Sequence, residues 1–241
     1  MTTEAGRLDG QVAVVAGGAG AIGAAIALRL AQAGARVFTL DVRRGSDGPG
    51  VTAIDCELTD ADQVTAAIGR IDAEAGRIDI VVHSAGVTRD ARLWKITDDD
   101  WRTVMATNLD SAFYLLRAAT PMLRRAGGAV VFVSSINGER GKVGQAAYAA
   151  SKGGMNALAK TAARELGHFG IRVNVVSPGW ITTPMTGVLP DDVRQKARDE
   201  SPLGRLGEPD DVGRVVCFLA GSLASHVTGQ IVRVDGGQLI G

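Results

Sequence analysis

Residues 11–16 (QVAVVA), the glycine-rich stretch 17–23 and the helix-periodic stretch 21–33 constrain this chain more than any other feature. The first run is apolar without alternation, as in a strand covered on both faces. Ile22, Ile26, Leu30 and Ala33 then recur on one helical face until Gly34 stops the helix. A doubly covered strand that turns tightly into a helix is the opening of a β-α-β unit, and the pattern repeats. Residues 36–40, 51–54, 78–82, 128–133, 171–176 and 231–234 read as further strands. Helical stretches lie between them, over about 98–125, over 148–166 ended by Gly170, and over 212–220. Val64, Ala67, Ile68 and Ile71 mark another helix, with Thr59 and Asp62 as its capping pair, while residues 136–147 read as a glycine-rich connection. Strands alternating with helices give right-handed crossovers and a parallel sheet. The expected fold is α/β: one doubly wound, Rossmann-type parallel sheet of about seven strands, with helices on both faces, forming a single domain over residues 1–241.

Composition narrows the function. Lys plus Arg equals Asp plus Glu, 26 each, which excludes a strongly basic nucleic-acid surface and a polybasic membrane patch. No apolar run reaches the roughly 18 residues of a membrane-spanning helix. The first ten residues lack an apolar signal core. The two cysteines, Cys56 and Cys217, form no CxxC pattern, and the three histidines, His83, His168 and His226, have no ligand spacing. The expectation is a cytoplasmic protein without a metal and without nucleic-acid or membrane partners.

The chemistry begins at the first turn. Gly17, Gly20 and Gly23 let a pyrophosphate approach the backbone at a helix N-terminus, where N–H donors and partial positive charge converge. Asp41 closes the second strand 18 residues after Gly23, where a carboxylate accepts hydrogen bonds from adenosine ribose hydroxyls. Tyr148 and Lys152 share a helix face at i and i+4. A nearby cation favours the phenolate, so such a pair exchanges protons with a substrate oxygen. Ser135 ends the fifth strand, at the edge where open parallel sheets bind ligands. Asn108 lies on an otherwise apolar helical stripe, where a buried amide needs partners that a water would supply. Read without further context, Cys56 is a packed core thiol and His83 a satisfied strand-end histidine.

With VVAGGAGAIG at 14–23, HSAG at 83–86, Asn108, Ser135, YAASK at 148–152 and PGWITTPM at 178–185, the chain resembles the short-chain dehydrogenase/reductase family over nearly its full length. The resemblance implies that Tyr148 is the catalytic acid/base. It implies that Lys152 binds the nicotinamide ribose and lowers the Tyr148 pKa, that Ser135 polarises the substrate oxygen, and that Asn108 holds a relay water. It also implies a cofactor site of Gly17, Gly20, Ala21, Ile22, Gly23, Asp41, Asp55, Cys56 (through its backbone), Ser84, Ala85, Gly86, Tyr148, Lys152, Pro178, Gly179, Ile181 and Thr183. Departures are Ala16 for the usual Thr, Ala21 for a usual Gly, and His83-Ser84 for the usual Asn-Asn. These remove a hydroxyl that ties the turn to the sheet and amides that brace the fourth strand.

Within the family, GVTRD at 86–90, GQAAYAASK at 144–152 and SPLGRLGEPDD at 201–211 resemble the 3-oxoacyl reductases acting on acyl-carrier-protein or coenzyme A thioesters. Those enzymes mostly use NADPH and often place a basic residue where this chain has Phe169, leaving Arg124 and Arg125 as basic contacts. Asp41 instead favours NAD, with NADP second through Arg43 and Arg44. The expected activity is NAD(P)-dependent interconversion of a ketone and a secondary alcohol, with a small ketone, alcohol or acyl thioester as substrate. A secondary alcohol, sugar or steroid dehydrogenase is the alternative, and a non-catalytic dinucleotide-sensing module is the alternative of another class. Residues 184–207 are the expected lid. The apolar residues of 101–123 and 148–166 exceed one face, and the resemblance implies a homotetramer.

Overall fold

The computed structural model of the protein describes residues 6–43, 45, 47–187 and 190–240. Seven strands form one parallel sheet: β1 Val12–Ala16, β2 Arg36–Asp41, β3 Val51–Asp55, β4 Ile80–His83, β5 Gly128–Val133, β6 Ile171–Pro178 and β7 Ile231–Val234. Their spatial order is β3-β2-β1-β4-β5-β6-β7, so the winding reverses between β1 and β4. This is the doubly wound architecture expected from the sequence. The reversal opens a crevice at the carboxyl ends of these two strands.

Alternate residues of each strand feed opposite cores, which is why the strands are apolar throughout. Val12, Val14 and Ala16 join one core with Ile68 and Ile71 of α2 (Ala61–Ala75), Leu115 and Leu123 of α4 (Ser111–Ala126), and Met155 of α6 (Ala146–Leu166). Ala13 and Val15 join the other with Ile26 and Leu30 of α1 (Ala21–Gln32) and Val212 and Val216 of α9 (Pro209–Ala220).

Three expectations need correction. The cap of α2 is Asp60, whose carboxylate accepts from the Asp62 and Gln63 N–H groups at 2.9 and 3.2 Å, whereas the Thr59 hydroxyl donates to Glu57. The long helix over 98–125 is two helices, α3 (Asp98–Met105) and α4, joined by a π-helical turn at Ala106–Asp110. The connection over 136–147 contains a short helix, α5 (Asn137–Arg140). Each reflects local hydrogen bonding that a periodicity of apolar residues does not report. Within the expected lid lie α7 (Pro184–Gly187) and α8 (Asp191–Asp199). Its base is pinned by a bridge between Ile181 and Gly207 and by Gly207 N–H donating to the Trp180 carbonyl at 2.9 Å.

The first turn closes on itself. A Cβ on Gly23 would stand 2.1 Å from the Gly17 carbonyl oxygen, and one on Gly17, which has φ +81°, would meet the Ala85 backbone at 2.4 Å. A Cβ on Gly20 meets only the Gly17 oxygen, at 3.3 Å. Gly23→Ala should therefore lower stability by about 1–3 kcal/mol, the usual cost of overpacking. Gly20→Ala should leave the melting temperature close to wild type and weaken dinucleotide binding. Thermal unfolding and cofactor titration of both variants check this; equal destabilisation would contradict it.

Candidate active site

The residues expected from the sequence meet in one cavity of about 620 Å³ at the carboxyl ends of the strands. Its lining includes Gly20, Ala21, Ile22, Gly23, Ser84, Gly86, Ser135, Tyr148, Lys152, Pro178, Gly179, Ile181 and Thr183. Gly17 and Ala85 lie just beneath, packed against each other. Asp41, Asp55, Cys56 and Asn108 are not brought into this lining: Asp55 is the register partner of Asp41 at the ends of β3 and β2, Cys56 is buried in the core, and Asn108 is buried in the π-helical turn. Burial pushes the Cys56 thiol up to about 11, which makes it inert. Arg44 lies outside the described residues.

At the cofactor end the donors are backbone. The N-cap of α1, Gly20, supplies no side-chain hydrogen bond, and its first turn carries no acidic residue. The N–H groups of that turn are thus available to an anion, and the dipole favours one. The Asp41 carboxylate is held over the turn, accepting from the Ala19 N–H at 3.0 Å and the Arg43 N–H at 3.1 Å. The hydroxyl missing at Ala16 is replaced by backbone, with Gly17 N–H donating to the Leu40 carbonyl at 2.8 Å.

Lys152 organises the other end. Only 3% exposed, its ammonium donates to the Val133 carbonyl at 2.8 Å, and burial lowers its pKa to about 8. No other hydrogen bond satisfies it among the described residues, so two of its three donors are open toward the cavity it lines. Burial raises the Tyr148 phenol above the usual tyrosine range; hydrogen bonding to Ser135 pulls it back, and the Asp90 carboxylate pushes it further up. The expected lowering by Lys152 is therefore corrected: the ammonium stands 5.8 Å from the Tyr148 ring centroid, and burial governs the phenol. Ser135 is 7% exposed, and its hydroxyl accepts from the Asn137 N–H at 3.2 Å.

Asn108 is fully buried in the π-helical turn, and its amide is bonded to protein groups. Its oxygen accepts from Val87 N–H at 2.8 Å, and its nitrogen donates to the Val87 carbonyl and the Ser151 hydroxyl, both at 3.0 Å. The side chain thereby pins the segment after β4 to α6. His83 is half as expected. Ser111 donates to the Thr107 carbonyl at 2.6 Å, so its oxygen accepts from Nε2–H of His83 at 2.7 Å. Nδ1 of His83 and the Ser84 hydroxyl have no partner among the described residues. Burial, with the Lys152 charge adding, drops His83 to about 3, so it is neutral and is not a base.

A matched family model, described as enoyl-(acyl carrier protein) reductase, covers residues 17–238. The chain belongs to the short-chain dehydrogenase/reductase family. It is 41% identical to the 3-oxoacyl-[acyl-carrier-protein] reductase of Thermotoga maritima, over 97% of this chain and 100% of that one. It is 40% identical to the (3R)-3-hydroxyacyl-CoA dehydrogenase of Canis lupus familiaris, over 96% and 97%. Among solved structures, gox2181 superimposes with a TM-score of 0.92 at 33% identity over 99% of both chains. A putative gluconate dehydrogenase from Agrobacterium tumefaciens gives 0.91 at 30% identity over 97% of both. The protein is an NAD(P)-dependent oxidoreductase, and no helix among its described residues is long and apolar enough to cross a membrane.

Sequence reading missed a further part of the cavity lining: Thr88, Asp90, Asn137, Arg140, Lys142, Gln145 and Trp180. The available signal was charge, since a connection that only closes a loop has no need of Glu139, Arg140 and Lys142 between Ser135 and Tyr148. It also missed Gly138, where a Cβ would stand 2.8 Å from both the Lys152 Cβ and its carbonyl carbon. α5 thus rests on the backbone of α6 at Lys152.

The depressed Lys152 pKa has a consequence for stability. Between its folded value, about 8, and its ordinary value, 10.5, the unfolded chain holds a proton that the folded chain has released. Stability contributed by this group therefore rises with pH through that window, and the cost of the buried charge is complete below it. Lys152→Met should raise the melting temperature of the cofactor-free protein most near neutral pH, with the gain shrinking toward pH 10.5. Calorimetry across this range checks it; a gain independent of pH would show that the ammonium carries no burial cost.

Proposed function

We propose that the protein reduces a ketone to a secondary alcohol, with a 3-oxoacyl thioester of acyl carrier protein or coenzyme A as its substrate class. The single observation that carries this reading is the convergence of Ser135, Tyr148 and Lys152 on one cavity beside an uncapped helix N-terminus. The names of the two relatives support the thioester class. The nicotinamide cofactor supplies or takes the hydride. Ser135 Oγ holds and polarises the carbonyl oxygen. Tyr148 Oη gives that oxygen its proton, and burial keeps the phenol protonated at neutral pH, which suits reduction. Lys152 orients the cofactor through its open donors and supplies positive charge near the reacting oxygen. Asn108 acts through Val87 and Ser151, fixing the two segments that meet at Gly86.

A hydroxy-acid or sugar dehydrogenase is the second reading, favoured by the polar wall of the cavity. For carrier docking the basic residues divide: the Arg124 guanidinium stacks 4.1 Å over the Phe169 ring, while Arg125 is bound to Asp72 at 2.7 Å. Exposed Trp101 and Phe113 on α3 and α4, and Phe218, Leu223 and Ile240 elsewhere, support assembly into a homotetramer.

Tyr148→Phe should reduce NADH-dependent turnover of acetoacetyl-coenzyme A by roughly 10²–10⁴-fold while NADH still binds. Near-normal turnover would overturn the role, and reduction of simple ketones or sugars but of no thioester would favour the second reading.

NAD is the preferred cofactor on this reading, because an acidic residue at the end of β2, here Asp41, favours ribose hydroxyls and repels a 2′-phosphate. Arg43 lines the cavity and would offset part of that repulsion. The expected preference for NAD is at least roughly tenfold in affinity, equivalent to about 1.4 kcal/mol. Asp41→Ala should weaken NAD and improve NADP. Titration of both cofactors on both proteins tests this; an unchanged ratio would assign the choice to the arginines.

A further inference from the structure

The substrate side of the cavity is walled by one continuous polar chain. The Gln145 amide donates to the two carboxylate oxygens of Asp90 at 3.2 and 3.0 Å, and its oxygen accepts from Asn137 Nδ2 at 3.0 Å. The Asn137 oxygen accepts from Arg140 Nε at 3.1 Å, and Arg140 Nη2 stands 3.5 Å from the Glu200 carboxylate beside α8. The Thr88 hydroxyl also donates to Asp90. Asp90, Arg140 and Glu200 are therefore each answered by a neighbour.

Lys142 is different. Among the described residues its ammonium has neither a hydrogen bond nor an ion pair; it lies 4.1 Å from the centroid of the Trp180 ring, and both side chains line the cavity. Asp90, Glu200 and Arg140 act on it from a longer range, and both carboxylates are already bound to other partners. An ammonium has three donors. Here the protein uses none, while an aromatic face holds the group in place by a cation–π contact. A cation fixed in advance loses less entropy on pairing with a ligand than a free surface lysine does.

We propose that Lys142, braced by Trp180, is an anion subsite for the end of the substrate remote from the hydride, so that the enzyme selects carbonyl compounds carrying a carboxylate or phosphate over neutral ones. This rests on the reading of the site as a carbonyl reductase and adds the charge of its substrate.

The test compares wild type with Lys142→Met, which keeps the stem and removes the charge. Two matched pairs are used: a keto acid against its methyl ester, and acetoacetyl-coenzyme A against acetoacetyl-N-acetylcysteamine. The quantity read is the anionic-to-neutral ratio of kcat/KM. The same ratio of affinities for the NADH-bound protein, by calorimetry, is read where neither member turns over. In Lys142→Met the ratio should fall roughly tenfold in at least one pair, the loss of one hydrogen bond to a charged partner. A fall in the first pair assigns a carboxylate and a fall in the second a phosphate. Lys142→Arg should restore part of the ratio. Unchanged ratios in both pairs, in a variant with a wild-type melting curve, would overturn the proposal. Failure of every thioester to react would overturn the thioester reading alone, because the keto acid pair still reports on Lys142.

Discussion

The buried ammonium of Lys152 is the group around which the site is arranged. A cation out of water is costly unless it is paired, yet the chain offers it one backbone acceptor, the Val133 carbonyl at the end of β5. Its surroundings are shaped to keep it there. Ser134 donates to the Lys152 carbonyl at 3.1 Å, tying that turn of α6 to the same strand end. Gly138 lets α5 lie against the backbone at Lys152, and Gly86 leaves the space beside its Nζ open, with the nearest approach of a Cβ at 3.4 Å. Neutral His83 lies close enough for the Lys152 charge to depress its pKa further, so the fold adds no second charge at this point. The open donors of Lys152 suit a ligand that presents hydroxyl or anionic oxygens at this place.

The same economy holds for α5, a four-residue helix that follows Ser135. On one side Ile136 N–H donates to the Pro178 carbonyl at 3.1 Å. On another, the Glu139 carboxylate accepts from the buried Ser177 hydroxyl at 2.7 Å and from Arg233 of β7 at 2.9 and 3.1 Å. Arg140 reaches from the same turn to Glu200 beside α8. Ser135 is thus held by a strand end, by the last strand of the sheet and by Glu200 beside α8, although its own hydroxyl makes few bonds. A short helix is not stable by itself. These external contacts are what make it a rigid support.

The architecture was legible in the sequence because it rests on apolar period and glycine position. The run 11–16, Gly17 and Gly23 must pack as they do, and Val64, Ile68 and Ile71 have no other face to bury. The Ser135, Tyr148 and Lys152 set was legible because strand ends in a parallel sheet point to one edge. What escaped depends on side-chain bonds between residues distant in sequence. Asn108 takes its partners from Val87 and Ser151, and no local pattern announces a π-helical turn inside a helical stretch. Asp60 rather than Thr59 caps α2 because its carboxylate reaches two N–H groups, a one-residue choice that spacing does not resolve. The i, i+4 spacing to Lys152 predicts a lowered pKa for the Tyr148 phenol, whereas burial, which sequence does not report, decides the sign.

The two ends of the cavity are built from different material, and this bears on which of them can change. The cofactor end is made of backbone N–H groups, small residues and one fixed carboxylate. Replacing Thr by Ala at 16 or Gly by Ala at 21 leaves those donors in place, since the turn is still bound to Leu40 through its own amides. The substrate end is made of side chains that hold one another, from Asp90 through Gln145, Asn137 and Arg140 to Glu200, with Lys142 and Trp180 beside them. A substitution of Lys142 or Trp180 alters the charge and shape of the cavity wall without touching the end of β5 that places Ser135 or the helix α6 that places Tyr148 and Lys152. On the proposed reading, hydride and proton transfer persist while substrate preference moves, and the charge pattern between Ser135 and Tyr148, rather than the glycines or the Tyr–Lys pair, would set the choice of substrate.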